Sequence, residues 1–69
     1  MEIHWEEGAA ISVRIEGGAA VISANREGML SLAGQLADLA GAPAGSHIHL
    51  DAFSGLEDGS TELILDRIG

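Results

Sequence analysis

Apolar and polar residues alternate in several short stretches of this chain, which is the pattern of half-buried β-strands. Glycine pairs or polar turns separate most of these stretches. The predicted strands cover residues 2–6, 10–16, 19–23, 46–51 and 61–68. The residues expected to point inward are Ile3, Trp5, Ile11, Val13, Ile15, Ile48, Leu50, Leu63 and Leu65.

The hydrophobic period changes between the third and fourth predicted strands, where apolar residues recur every three to four positions. This spacing predicts one helix over residues 26–40, capped at its start by Ser23 or Asn25 and ended by Gly41 and Pro43. Its expected core face consists of Met29, Leu32, Ala33, Leu36, Leu39 and Ala40. A second stripe, on which small residues would allow another helix or sheet to approach closely, consists of Leu30, Gly34, Ala37 and Gly41.

The resulting order, β-β-β-α-β-β, predicts an α+β fold: a five-stranded, mainly antiparallel sheet with one helix packed on one face. The chain has 69 residues, the length of a single domain, which we take to cover residues 1–69. A domain of this size has a small core, and the chain has no cysteine with which to form a disulfide. We therefore predict a homodimer, formed through the second helix stripe, the outer sheet face around Ile64, or an exposed strand edge.

The charge of the chain is strongly one-sided. Eleven acidic residues stand against three arginines, no lysine is present, and the formal net charge is -8. This balance argues against nucleic acid or an anionic membrane as partner, because both need a positive protein surface. It suits a basic protein partner. No apolar run resembles a signal peptide or a membrane span, so the expected location is the cytoplasm.

Two histidines share a face of the fourth predicted strand. His47 and His49 alternate with Ile48, which places their Cα atoms about 6.6–7 Å apart and lets two imidazoles approach one metal ion. Asp51 lies too far along the row, so His4 from another strand would have to supply a third ligand. A solvated polar face explains the same pattern without metal. We expect no cofactor and keep a small metal-binding or regulatory protein as an alternative.

Motifs of catalysis are missing from the sequence. No nucleophile elbow or other ordering singles out a Ser–His–carboxylate triad, and a phosphate-binding P-loop needs a lysine. The span from Asp51 to Glu62 has the length of a calcium-binding loop but lacks the required ligands and glycine. We therefore expect a non-enzymatic binding protein, with an accessory subunit of a biosynthetic enzyme as a further alternative.

The predicted loop over residues 52–60 holds two large apolar residues, Phe53 and Leu56, among small and acidic ones. Loops on rigid scaffolds often carry binding residues. The alternative is that both residues fold back over a core that is poor in aromatic side chains. The predicted partner-binding residues, which combine acidic charge with an apolar anchor, are Asp51, Phe53, Glu57 and Asp58.

Four segments carry a family resemblance: Asn25-Arg26-Glu27-Gly28, SLAGQLADLA over residues 31–40, GSHIHLD over 45–51 and LEDGSTELI over 56–64. Together they resemble the immunity protein 32 family, predicted antidotes encoded beside bacterial polymorphic toxins. HIHLD followed by LEDGS and EL is the most specific part of a resemblance that covers residues 20–68. It implies an α+β fold and a stoichiometric role in neutralising a toxin. Together with the acidic charge, this leads us to expect a basic toxin domain as partner, neutralised by steric and electrostatic occlusion. It supplies no catalytic residue.

Overall fold

A computed structural model describes residues 3–69. Its elements are β1 (Ile11–Glu16), β2 (Ala19–Ala24), α1 (Arg26–Ala40), β3 (His47–Leu50) and β4 (Leu63–Asp66). The α+β class agrees with the sequence prediction, and so do the bounds of the helix. Within residues 3–69, no helix is long and apolar enough to cross a membrane.

The strands form two separate antiparallel pairs, β1 with β2 and β3 with β4. The predicted single five-stranded sheet is therefore wrong. The turn between β1 and β2 uses Gly17 and Gly18 at positive φ angles of 53° and 83°, as a two-residue hairpin of the favoured twist requires. The register runs from Ile11 opposite Ala24 to Glu16 opposite Ala19, and from His47 opposite Asp66 to Leu50 opposite Leu63.

Residues 3–6 were predicted as strand, but the helix takes up their backbone hydrogen bonds. The backbone N–H of Glu6 donates to Ser31 Oγ at 2.7 Å. The side chain of Gln35 donates through Nε2 to the backbone carbonyl of His4 at 2.7 Å. Both helix side chains are buried and need such partners. Residues 3–6, the N-terminal segment, thus run beside α1 without joining a sheet; the start of that predicted strand lies outside the described range.

The two sheets meet at β1 without sharing a continuous ladder. The segment that leads into β4 lies along the second edge of β1, where the N–H of Glu57 donates to the carbonyl of Ile11 at 2.8 Å. The N–H of Thr61 donates to the carbonyl of Val13 at the same distance of 2.8 Å. Between these two bonds the chain turns at Gly59, whose φ is +82°. The turn interrupts the regular spacing of a β-ladder, so the sheets remain separate.

The core draws side chains from both sheets, the helix and the loop after β3. Its buried members are Ile11, Val13, Leu32, Leu39, Ile48, Leu50 and Leu56. The partly buried side chains packed against them are Ile3, Trp5, Ile22, Ala24, Leu63 and Leu65. Of the predicted inward set only Ile15 is strongly exposed, at 59%. It lies near the hairpin turn, opposite Ala20, where the β1–β2 sheet extends beyond the core.

The helix turns a different face to the core from the one that its apolar spacing predicts. Met29 and Leu36 were expected inside, but each is 49% exposed. At about 100° per residue, the buried face is rotated by roughly 80° from the predicted one. The hydrogen bonds to the N-terminal segment explain the rotation, because they draw two polar side chains inward. The buried helix positions are Gly28, Ser31, Leu32, Gln35 and Leu39.

Of the two predicted caps, Asn25 is the one that starts the helix. Its Oδ1 accepts the backbone N–H of Gly28 at 2.8 Å and that of Ala10 at 3.0 Å. Its Nδ2 donates to the carbonyl of Gly8 at 2.8 Å. One side chain therefore satisfies a free N–H of the first helical turn and also ties that turn to the residues preceding β1.

Candidate partner-binding surface

The turn that follows β3 is fixed by the side chain of Asp51. Its Oδ1 accepts the backbone N–H of Phe53 at 2.9 Å and the hydroxyl of Ser54 at 3.0 Å. Ser54 Oγ in turn accepts the backbone N–H of Asp51 at 2.9 Å. An aspartate that bonds the backbone two residues on forms an Asx turn. Three local hydrogen bonds thus hold the backbone on which Phe53 stands.

The two apolar residues of this loop have opposite surroundings. Leu56 is 4% exposed and belongs to the core, whereas Phe53 is 100% exposed. The alternative that both fold back over the core therefore holds for Leu56 alone. A large aromatic side chain on a constrained turn has the character of the anchors that dominate binding energy at protein interfaces.

Gly55 brings the loop against the N-terminal segment. Its φ is +117°, a conformation that favours glycine. A Cβ atom at this position would clash with the indole ring of Trp5. The loop is therefore held by the core through Leu56, by the Asx turn, and by close packing of Gly55 on Trp5.

Acidic side chains lie near Phe53 in the sequence and differ in their roles. Glu57 and Asp58 are exposed, and neither forms an ion pair with another of residues 3–69. Asp51 is half-buried, and its Oδ1 is engaged within the turn. Of the four residues predicted to bind a partner, Phe53, Glu57 and Asp58 expose their side chains to solvent. The fourth, Asp51, fixes the turn on which Phe53 lies.

The predicted histidine pair lies on the outward face of β3. The ring centroids of His47 and His49 are 5.1 Å apart at an angle of 70° between the ring planes. His49 Nδ1 lies 3.4 Å from Glu62 Oε2. The expected third ligand, His4, lines a groove beside α1 instead. Over the described part of the chain, no group of three or more His, Cys, Asp or Glu side chains is arranged to hold a metal ion.

A sequence model of the family described as immunity protein 32 matches residues 19–68, well over half of the chain. The chain belongs to the immunity protein 32 family. Searches of curated proteins and of solved structures find no match. In this family member the matched residues include β2, α1, β3, β4 and the whole loop over residues 51–62, which we call the Phe53 loop, whereas β1 precedes them.

The family member also has a groove that sequence reasoning missed. It lies between the N-terminal segment and α1 and has a volume of about 210 Å³. The available signal was the pair Ser31 and Gln35, two uncharged hydrogen-bonding side chains spaced i, i+4 on one helix face. The lining residues are His4, Trp5, Glu6, Leu30, Ser31 and Gly34.

Proposed function

We propose that this member of the immunity protein 32 family neutralises a cognate bacterial toxin by binding it, without catalysis, in the cytoplasm. The family description supports an immunity role and a protein partner. The single observation that supports the mode of binding is the fully exposed Phe53 on a hydrogen-bonded turn. With Glu57 and Asp58 nearby in the same loop, it forms the Phe53 surface, which suits a basic toxin surface with an apolar pocket.

The anchor supplies affinity through burial. Moving a phenylalanine side chain from water into an apolar pocket contributes about 1.5–3 kcal/mol, which is about tenfold to 150-fold in affinity. The Asx turn reduces the ordering that binding requires, because the backbone of Phe53 is already fixed in the free protein. Most of this contribution is expected to slow dissociation of the complex.

The acidic side chains supply attraction at a distance. The chain carries a net charge of -8, and an excess of one sign raises the rate at which a partner of opposite charge is encountered. Exposed charges at the rim of an interface affect association and its dependence on salt more than they affect the lifetime of the complex. Glu57 and Asp58 therefore act mainly on the association rate.

The proposal is tested by measuring binding kinetics to the toxin encoded beside this gene. Phe53→Ala is expected to weaken binding at least about tenfold by faster dissociation. Ile68→Ala is the matched control, because Ile68 is also exposed, at 93%. It follows the end of β4, which pairs with the start of β3, whereas the Phe53 loop follows the end of β3. The pair Glu57→Lys and Asp58→Lys is expected to slow association and reduce its salt dependence.

Two results would overturn parts of this proposal separately. If the parent protein does not bind the adjacent toxin or protect cells from it, the immunity function is wrong. If the parent binds and protects, but Phe53→Ala binds as tightly as Ile68→Ala, the function stands and the Phe53 surface is not the site.

A further inference from the structure

The groove beside α1 brings a carboxylate and an indole ring together. Trp5 and Glu6 line it on the side of the N-terminal segment, and Leu30 and Gly34 line it on the side of the helix. Among the described residues that line it, Glu6 alone carries a formal charge when histidine is counted as neutral. The Glu6 side chain forms no ion pair with another of residues 3–69. The groove therefore offers an uncompensated negative charge beside an aromatic ring.

The hydroxyl group on the helix side of the groove is already engaged. Ser31 Oγ accepts the backbone N–H of Glu6 at 2.7 Å and donates to the backbone carbonyl of Glu27 at 2.8 Å. The first of these bonds also fixes the backbone of Glu6 relative to α1. A neutral polar ligand would thus gain little from Ser31, whereas a cation can pair with the carboxylate and lie against the indole.

These features suit the side chain of an arginine. A guanidinium is planar, matches the geometry of a carboxylate through two N–H groups, and stacks on indole, the best aromatic partner for a cation. Its aliphatic stem can pack on Leu30, which is 46% exposed. Lysine would bring a compact charge that is more strongly hydrated and therefore costs more to remove from water.

The size and lining of the groove indicate a side chain of a protein rather than a free small molecule. Its volume of about 210 Å³ is below the roughly 300–1,000 Å³ of pockets that enclose drug-sized ligands. Among the residues that the structure describes, no lysine or arginine lines it, so the carboxylate of a free amino acid would find no cation there. An arginine within a polypeptide has no such carboxylate and can keep its backbone outside the groove.

Trp5 joins the groove to the Phe53 loop. Gly55 of that loop packs so closely on the indole ring that a Cβ atom there would clash with Cε2, Cζ2 and Nε1. The ring that lines the groove thus also supports the loop that carries Phe53. A basic partner bound at the Phe53 surface is therefore placed to reach the groove with an arginine, and the net charge of -8 favours its approach.

We propose that the groove beside α1 binds an arginine side chain of the toxin, with the guanidinium against the indole of Trp5 and paired with the carboxylate of Glu6. That the arginine comes from the toxin rests on the proposed immunity function. That an arginine side chain binds rests on the groove alone. The two parts are tested by separate measurements.

A fluorescence titration tests the groove by itself. Trp5 is the single tryptophan of the chain, so its emission reports directly on the groove. The probe is arginine blocked as its N-acetyl amide, added at pH 8 and constant ionic strength. A saturable change in emission is expected at millimolar concentrations, because one side chain supplies only a small part of the affinity of an interface. N-acetylcitrulline amide, which has nearly the same shape without the charge, is expected to give no such change.

Two pairs of variants locate the bound probe. Glu6→Gln is expected to weaken its affinity about fivefold, whereas Glu7→Gln makes the same charge change at an exposed neighbour outside the groove lining and should bind as the parent does. Gly34→Leu is expected to abolish binding by filling the groove, since a Cβ atom there meets no atom within 4 Å and the larger side chain has room. Ala33→Leu, at the preceding exposed position outside the lining, is its matched control.

The same variants test whether the arginine belongs to the toxin. Gly34→Leu and Glu6→Gln are each expected to speed dissociation of the toxin complex at least about tenfold, because a paired charge buried in an interface acts mainly on its lifetime. Ala33→Leu and Glu7→Gln are expected to stay near the parent rate. All four variants keep Phe53, so a loss of binding is not a loss of the anchor.

Each part of the proposal has a result that overturns it. The groove assignment is wrong if the arginine probe gives no saturable change, gives no more than the citrulline probe, or binds Gly34→Leu as it binds the parent. If the probe binds in the groove but neither Gly34→Leu nor Glu6→Gln changes toxin dissociation, the arginine is not the toxin's. If the parent does not bind the toxin at all, the immunity function and the source of the arginine are both wrong, and the titration alone decides the groove.

Discussion

The contact between Gly28 and the first sheet gives the most direct test of how the helix is positioned. A Cβ atom at Gly28 would lie 2.5 Å from the carbonyl oxygen of Ala10, 2.9 Å from Ile11 Cγ1 and 3.0 Å from Ala24 Cβ. The oxygen belongs to the backbone and already accepts the N–H of Asn25 at 3.1 Å, so it cannot turn aside. Gly28→Ala must therefore push the helix away from β1 and β2.

The expected magnitude is a balance of two terms. Inserting a methyl group into a tightly packed contact costs about 1–3 kcal/mol, and the upper half applies because a backbone atom is struck. Alanine favours a helix over glycine by about 1 kcal/mol, which offsets part of this. The net loss of folding free energy is about 1–2 kcal/mol. Gly34→Ala, whose Cβ meets nothing within 4 Å, has only the second term and should gain about 0.5–1 kcal/mol.

The same substitution should thus have opposite signs at two positions of one helix. Urea unfolding, followed by the fluorescence of the single tryptophan, measures both free energies at protein concentrations where the chain is monomeric. Circular dichroism at the same concentrations checks that the helix unfolds in the same transition that the tryptophan fluorescence follows. A Gly28→Ala protein as stable as the parent, or two variants that shift in the same direction, would refute this account of the contact.

Three further predictions concern single sites. Asn25→Ala should lower the free energy of unfolding by about 1–2 kcal/mol. Asn25→Asp should lower it less, because aspartate keeps the oxygen that accepts the N–H groups of Gly28 and Ala10. Equal losses for both variants in urea unfolding would show that these bonds contribute little. Gly55→Ala should destabilise the protein and shift the emission of Trp5, because the methyl group displaces the indole ring; unchanged emission and stability would contradict that packing. Stoichiometric zinc or nickel should leave the melting temperature unchanged, because no side chain among residues 3–69 joins His47 and His49 in a group of three possible metal ligands. A rise that the double change to alanine removes would contradict this.

Features set by neighbouring residues could be predicted from the sequence. The Gly17-Gly18 turn, the helix bounds and the inward and outward alternation of β3 and β4 all follow from residues close together in the chain. Ile3 and Trp5 were also correctly expected to contact the core. Alternation reports which side chains are buried, however, and not which groups take up the backbone hydrogen bonds.

Features set by distant partners could not be predicted. The rotation of α1 depends on bonds from Ser31 and Gln35 to a segment 25 and 31 positions away. In the sequence, Phe53 and Leu56 are both large apolar residues of one loop, and nothing local distinguishes them. Only the packing of the core determines that Leu56 is buried and Phe53 is exposed. Its Asx turn was open to prediction, because Asp51 and Ser54 have the residue types and spacing that such turns use.

The position of β1 between β2 and the segment entering β4 has a consequence for how the chain folds during synthesis. The bond from the N–H of Val13 to Ser60 Oγ joins residues 47 positions apart, so its loop closes late and at a cost in chain entropy. During translation the second edge of β1 must stay unpaired until residues 57–61 have emerged, and an open strand edge is prone to aggregation. The Asx turn at Asp51 depends on local bonds and can form earlier, whereas Glu57, at the far end of the same loop, is fixed only when it pairs with β1.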